Sequence, residues 1–283
     1  MNSDNSTFNN WAIAGYLALT TLFSASTFAG PFPPAAGQPG STAVDASSSA
    51  IVNWATGYTQ YSPGTDVDPQ FQTPARALGP AGDSDGTQQG FIFDIVALGR
   101  GGSIDLLFST PITNGPGNDF AVFENSFSDG FLELAWVEVS SNGVDFERFA
   151  NVSLTPAPVA PFANIDTTDI FGYGGKYRGG FGTPFNLDDV TGNPAVDINQ
   201  ITHVRIIDIV GHGSAMDTLP PPSGPSIIYD PYPTTGSAGF DLEAIAVMNQ
   251  VEGLPSENVP VPPTALALLA LALGSIASRR RLA

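Results

Sequence analysis

The 283-residue chain contains no cysteine, so neither disulfides nor thiolate ligands contribute to its stability. Basic residues are also scarce: 9 Lys and Arg stand against 27 Asp and Glu, a formal net charge of −18. That deficit argues against nucleic acid as a partner, because affinity for a phosphate backbone comes from clustered Lys and Arg. It makes divalent cations natural partners instead. The two histidines, His203 and His212, are nine residues apart on what reads as a strand and its following loop, a spacing that makes no metal pair. HExxH and Walker patterns are missing, and "GHGSAMD" around His212 lacks the GxSxG elbow. With no catalytic motif, the sequence reads as a protein that binds rather than an enzyme.

Long amphipathic helices are missing as well. Thirty-one glycines and 25 prolines break the chain too often for them. Short runs rich in Val, Ile and Phe fill the gaps: "SAIVNWATGYTQY" in part, "GFIFDIVAL", "SIDLLFS", "DFAVFEN", "AWVEVSS", "DFERFANVS", "THVRIIDIV" and "FDLEAIAVMN". Each is bounded by Gly, Pro, Asn or Asp, as strands are. About eight strands without intervening helices predict an all-β sandwich or jelly roll with long Gly/Pro-rich loops. In "AWVEVSSNG", Trp136, Glu138 and Ser140 fall on one face and Ala135, Val137 and Val139 on the other. Asn142-Gly143 suits a tight hairpin. Residues 156–202 carry few strand signals and form a loop long enough to be functional.

Both ends read as processed. "WAIAGYLALTTLF" followed by "SASTFAG" has the form of a signal peptide over 1–29, with Thr27 and Ala29 as the small residues at the cleavage site. The β-sandwich is expected over 41–250, a Pro-rich linker over 251–263 and an apolar segment over 264–283. The apolar core of that last segment spans roughly 20 Å as a helix, short of the ~30 Å hydrocarbon layer unless flanking residues are drawn in. Arg279, Arg280 and Arg281 close it and are expected on the cytoplasmic side. Pro260, Val261 and Pro262, the apolar run and the arginine cluster resemble the PEP-CTERM sorting signal of Gram-negative bacteria that make exopolysaccharide. The resemblance implies an exosortase-type processing enzyme as a partner, passage through the inner membrane and a final place at the cell surface or in the extracellular matrix. Val261 stands where that signal commonly has an acidic residue. A plain membrane anchor is the alternative.

Within the domain, "ARALGPAGDSDG", "WVEVSSNGVDFERF" and "GFDLEAIAV" resemble galactose-binding-like β-sandwiches, the group of discoidin-type and carbohydrate-binding domains. "GPGNDFAVFENSF", "GGKYRGGFGTPFNLDD" and "IYDPYPTTGSAGFDLEAI" are similar to PEP-CTERM-linked surface proteins. The resemblance implies a jelly roll, a structural calcium ion and ligand binding in loops at one edge, with exopolysaccharide or another glycan as the ligand to test. Fold alone does not settle function.

Among the carboxylates, Asp119 and Glu124 bracket one strand. Roughly 17 Å apart and on opposite faces, they cannot act across one glycosidic bond, which needs carboxyls roughly 5–9.5 Å apart. Acidic strand ends at "FEN", "IID" and "GFDLE" are better suited to calcium, which gathers oxygen ligands from several segments. The candidate ligands are Glu124 and Asp241, then Asp208, Glu243 and Asp119; Asp83 and Asp85 in "GDSDG" have a suitable spacing too. Solvated or Arg-paired carboxylates are the alternative. In "IFGYGGKYRGGFGTPF", Tyr173, Lys176, Tyr177 and Arg178 suit a sugar or an acidic polysaccharide, or else the tyrosines close the loop over the sandwich. A structural matrix protein without a small ligand, and a polysaccharide hydrolase or lyase, are the other function classes.

Overall fold

The computed structural model describes residues 30–82, 94–190, 192–218 and 225–252. Thr27 and Ala29, the Asp83/Asp85 loop, Pro260, Pro262 and the three tail arginines lie outside the described residues.

The described chain is all-β. Two antiparallel sheets carry it, and the helical content is four short 3-10 segments among the described residues. One sheet runs β1 (Val44–Asp45), β11 (Phe181–Phe185), β6 (Phe120–Glu124), β15 (Asp241–Val247) and β2 (Asn53–Trp54), with β4 (Val96–Ala97) also on β15. The other runs β3 (Gly57–Ser62), β5 (Ser103–Ile112), β12 (Ile201–Asp208), β7 (Ala135–Ser140) and β8 (Glu147–Arg148). Two small pairs, β9 (Val152–Ser153) with β10 (Ile170–Phe171) and β13 (His212–Met216) with β14 (Ile227–Tyr229), complete the strands.

Alternation fixes which face each strand buries. In β7, Ala135, Val137 and Val139 are buried while Trp136 and Glu138 are partly exposed. Register places Val204 between Leu106 and Val139, and Ile206 between Ile104 and Val137. These rows belong to one core with Phe120, Val122, Leu242, Ile245 and Val247 of the opposing sheet. Stacked and tilted contacts among Phe120, Phe149 and Phe185, with ring centroids 4.9 to 5.7 Å apart, fill one part of it. Each such side chain contributes about 1.5–3 kcal/mol by leaving water. That burial does the work that disulfides do in cysteine-rich domains.

β6 and β15 are buried along their whole length, as is the two-residue β4 beside β15. Their second face packs Ala121, Phe123, Ala244 and Ala246 against Trp54, Val44 and Ile51. The acidic residues at the ends of these strands therefore start from a dry environment on both sides.

The turn after β7 is longer than a two-residue hairpin. Only Gly143 has a positive φ (74°) in it, and the Asn142 side chain accepts from the amides of Val144 and Asp145. The Gly/Pro-rich stretch 156–202 also contains β11, a strand of the first sheet. Its Pro184 faces no partner on the β1 side, since β1 pairs only with Phe181 and Gly182, so its missing N–H breaks no ladder bond there.

A buried carboxylate cluster as candidate functional site

Of the nine acidic residues that are almost fully buried among the described residues, six belong to one region: Glu124, Glu133, Asp208, Asp230, Asp241 and Glu243, none more than 6% exposed. Glu124 ends β6, Asp241 and Glu243 begin β15, and Asp208 ends β12. Glu133 comes from the segment before β7, and Asp230 follows β14. The cluster thus lies where strand ends from both sheets meet.

Local backbone features direct these side chains. Leu242 pairs with Glu124 but Ala244 with Phe123, so β15 carries one extra residue, Glu243, in a bulge beside β6. A bulge re-aims its side chains relative to a regular strand. The Asp208 carboxylate accepts from Phe240 N–H (2.8 Å) and Gly101 N–H (2.7 Å), tying the end of β12 to the start of β15. Gly239, with φ +72°, is packed so closely that a Cβ there would meet Asp208 Oδ1 at 2.6 Å. A side chain on Gly211 would likewise run into Asp230.

Hydrogen bonding to the cluster is sparse. Glu124 Oε2 accepts from Ser126 N–H (2.9 Å), Glu133 Oε1 from the Thr234 hydroxyl (2.6 Å) and Asp230 Oδ2 from Leu134 N–H (2.9 Å). Asp241 Oδ1 is buried with no hydrogen-bond partner. Native interiors rarely leave such an atom unpaired, and each case calls for an occupant or a cost. One guanidinium, Arg100, stands at the rim. It is engaged with Asp66 (2.6 Å) and the Thr234 carbonyl (2.8 Å), and lies over the Tyr232 ring.

The carboxyls respond as crowded buried acids do. Burial, then the charge of Asp241, holds Glu124 and Glu133 well above the usual range. Burial with Asp208 nearby does the same to Asp230 and Asp241. Burial pushes Asp208 up to about 6, with its two amide donors and Arg100 opposing. Beside Glu133, Asp208 and Asp230 is a cavity of about 10 Å³, the size of a single water or ion. Among the described residues, no three His, Cys, Asp or Glu side chains are grouped closely enough to enclose an ion by themselves. Calcium takes six to eight oxygens and draws many from backbone carbonyls and water. The unpartnered, buried Asp241 oxygen is a donor of the kind such an ion takes, and backbone carbonyls or water would have to complete its shell.

Four of the five ligands expected from sequence lie in this cluster, and Asp119 does not. At the other end of β6, its carboxylate accepts from Gly115 N–H (2.8 Å), Leu187 N–H (2.7 Å) and Asn249 Nδ2 (2.9 Å). It is a clasp joining three segments. Glu133 and Asp230 were missed by sequence reasoning. For Glu133 a signal exists: an acid inside the apolar run "FLELAW", where Leu132, Leu134 and Ala135 are all buried.

The Tyr173–Arg178 loop is corrected more sharply. Tyr173, Tyr177 and Lys176 are buried, so their faces are not offered to a sugar. Tyr173 packs with Leu132, Leu134 and Ile209. Lys176 Nζ donates to the carbonyls of Thr167 and Ile170 (2.5 and 2.6 Å), and burial lowers its pKa to about 8. Arg178 alone remains partly exposed, ion-paired with Asp129 at 2.5 Å. His203 accepts from or donates to the Thr202 hydroxyl, while His212 packs edge-on to Tyr232; neither joins the cluster.

No family model matches the chain, and no curated protein is significantly similar to it.

Proposed function

We propose that this chain is an exported binding protein of the bacterial surface or exopolysaccharide matrix, a jelly-roll sandwich stabilised by a calcium ion among its buried carboxylates. The observation that carries the reading is Asp241: nine-tenths buried, one oxygen without a partner, and surrounded by acids. Six carboxylates in a dry strand-end cluster either keep protons or receive a cation, since an unpaired interior charge costs several kcal/mol. The chain supplies one guanidinium at the rim; a divalent cation from solution supplies the rest.

Binding rather than hydrolysis is favoured by access. All six acids are buried, and the cavity beside Glu133, Asp208 and Asp230 is about 10 Å³, far below the size of a sugar ring, so a glycosidic bond does not reach them. Export and sorting rest on the leader and on the PEP-CTERM-like tail, processed by an exosortase-type enzyme. The test of the cation is a thermal melt in EDTA and then in excess calcium. A ligand at 100 to 1,000 times its dissociation constant adds about 2.7–4.1 kcal/mol. For a domain of this size that raises Tm by roughly 5–16 °C. An unchanged Tm sinks the calcium reading.

A further inference from the structure

The same strand that brings Glu124 to the acidic cluster leads outward into a surface site. Ser126 is its hinge point: its N–H is held by Glu124 Oε2, its carbonyl accepts from Gly179 N–H (2.8 Å), and its hydroxyl donates to the carbonyls of Ser128 and Phe131. Phe131 N–H is bound by the Ser128 hydroxyl, and Gly130 accepts from Ile165 N–H (2.8 Å). The loop 125–131 is therefore pinned at nearly every residue. Binding sites whose walls are already ordered lose less entropy on association.

On this scaffold three phenylalanine rings form a row. Phe127 stacks on Phe131 with centroids 6.1 Å apart, and Phe131 meets Phe162 at 5.6 Å. Phe131 is buried, but Phe127 and Phe162 are 62% and 61% exposed. Phe162 also holds a left-handed backbone, φ +58°, a conformation costly for a bulky residue and concentrated at functional sites. Next to the row is an open cavity of about 540 Å³, lined by Asp45, Ser47, Asn125, Ser126, Phe127 and Arg178. That volume lies in the range of small-ligand sites.

We propose that this cavity binds a neutral saccharide, with the Phe127 ring receiving the C–H face of one sugar and the polar wall its hydroxyls. The proposal rests on the reading of the chain as a binding protein and gives it a location and a ligand class. Aromatic faces beside hydroxyl, amide and carboxylate groups match a ligand that is apolar on one face and polar at its edge. Charge selects within that class. The single cation of the wall, Arg178, is ion-paired to Asp129, bonded to the Ala36 carbonyl and seated over Phe181, and the chain carries a net charge of −18. A polyanion is repelled; a neutral glycan is not.

The test is saturation-transfer NMR and calorimetry on the purified protein in calcium, with neutral gluco-, galacto- and manno-oligosaccharides as probes and alginate as the acidic comparison. The expected result is binding of a neutral probe with transfer from Phe ring protons, a tenfold or greater loss in Phe127→Ala, and a severalfold loss in Phe162→Ala. Both side chains are exposed, so the variants should keep the calcium-dependent melting shift of the parent. No binding by any neutral probe, tighter binding of alginate, or unchanged affinity in Phe127→Ala overturns the proposal. So does a dimer in sedimentation that Phe127→Ala dissociates, which would make the row a self-association surface. An absent melting shift with saccharide binding intact would remove the cation reading alone.

Discussion

Two groups of charges, one on the outer face of the β5/β12/β7 sheet and one between the strand ends, follow opposite rules. On the outer face the register lines up Asp105, Arg205, Glu138 and Arg148 across four neighbouring strands. Arg205 Nε donates to Asp105 at 2.7 Å and its fork is completed by a second bond at 2.9 Å. Arg148 donates twice to Glu138 and lies 4.2 Å over the Trp136 ring. Charges alternate in sign and each has a partner. At the strand ends six carboxylates gather with one guanidinium beside them. The difference shows where a base-poor chain places its bases: two of the six in the described domain are in the ladder, and the interior acids are left to protons or metal. The ladder should therefore be indifferent to calcium, and the cluster should depend on it.

The largest expected effect breaks the cluster's side of this contrast. Asp241→Asn combined with Glu124→Gln removes two charges with little change of shape. In EDTA the variant should melt at or above the parent, because repulsion and desolvation are relieved. In calcium it should lose most of the parent's shift of roughly 5–16 °C. A variant that keeps the full shift would place the ion elsewhere.

Next in size is the pH dependence of the metal-free protein. The folded state holds the Asp208 proton more tightly than the unfolded chain does, with a pKa raised from 3.8 to about 6 by burial. Stability from such a group is complete below the ordinary carboxylate range and is lost as pH rises through the folded value. Asp208 alone accounts for about 2 kcal/mol between pH 4 and 7, and Glu124, Glu133, Asp230 and Asp241 act in the same direction. Melting in EDTA should accordingly fall from pH 5 to 7.5. With calcium, which favours the ionised carboxylates, the fall should flatten. A rise in EDTA over that interval would contradict the burial of these groups.

The ladder gives the third effect. Asp105 is 2% exposed on its own account while Arg205 is partly in water. Arg205→Ala strands that carboxylate and should cost about 2–3 kcal/mol, equally in EDTA and in calcium. A calcium-dependent cost would mean that the two groups are coupled.

Sequence alone indicated most of the strands and four of the cluster acids, and what it left unseen, the charge ladder included, was hidden for physical reasons. β5, β6, β7, β12 and β15 lie where alternating or continuous apolar runs indicated, because their burial is written into a period of two. β11 was hidden by Gly182 and Pro184, residues that mark turns except at a strand with a short neighbour. Four cluster acids were visible as strand ends, but Asp230 sits in "IYDPY", where nothing local distinguishes a buried acid from a solvated turn. Tyr173 and Tyr177 resembled a binding surface because aromatic residues near glycines suit either a ligand or a loop closing over a core. Only tertiary packing separates the two. The exposed row of Phe127 and Phe162, 35 residues apart, depends on the same packing and had no sequence signature.

The smallest effect sharpens the ladder's end. Arg148 is a third exposed, and its partner Glu138 keeps a second cation in reach, Arg205 Nη1 at 3.8 Å. Removing Arg148 therefore leaves no orphaned charge, unlike removing Arg205. What is lost is a partly solvated pair of bonds to Glu138 Oε1 and the cover over Trp136, so Arg148→Ala should cost about 1 kcal/mol. Arg148→Met keeps the apolar cover on the indole and should recover part of that. The Tm difference between the two variants, measured in high salt where the ion pair is screened, separates packing from charge. Were Arg148→Met as damaging as Arg148→Ala there, the stacking on Trp136 would contribute nothing and the ladder would be electrostatic to its edge.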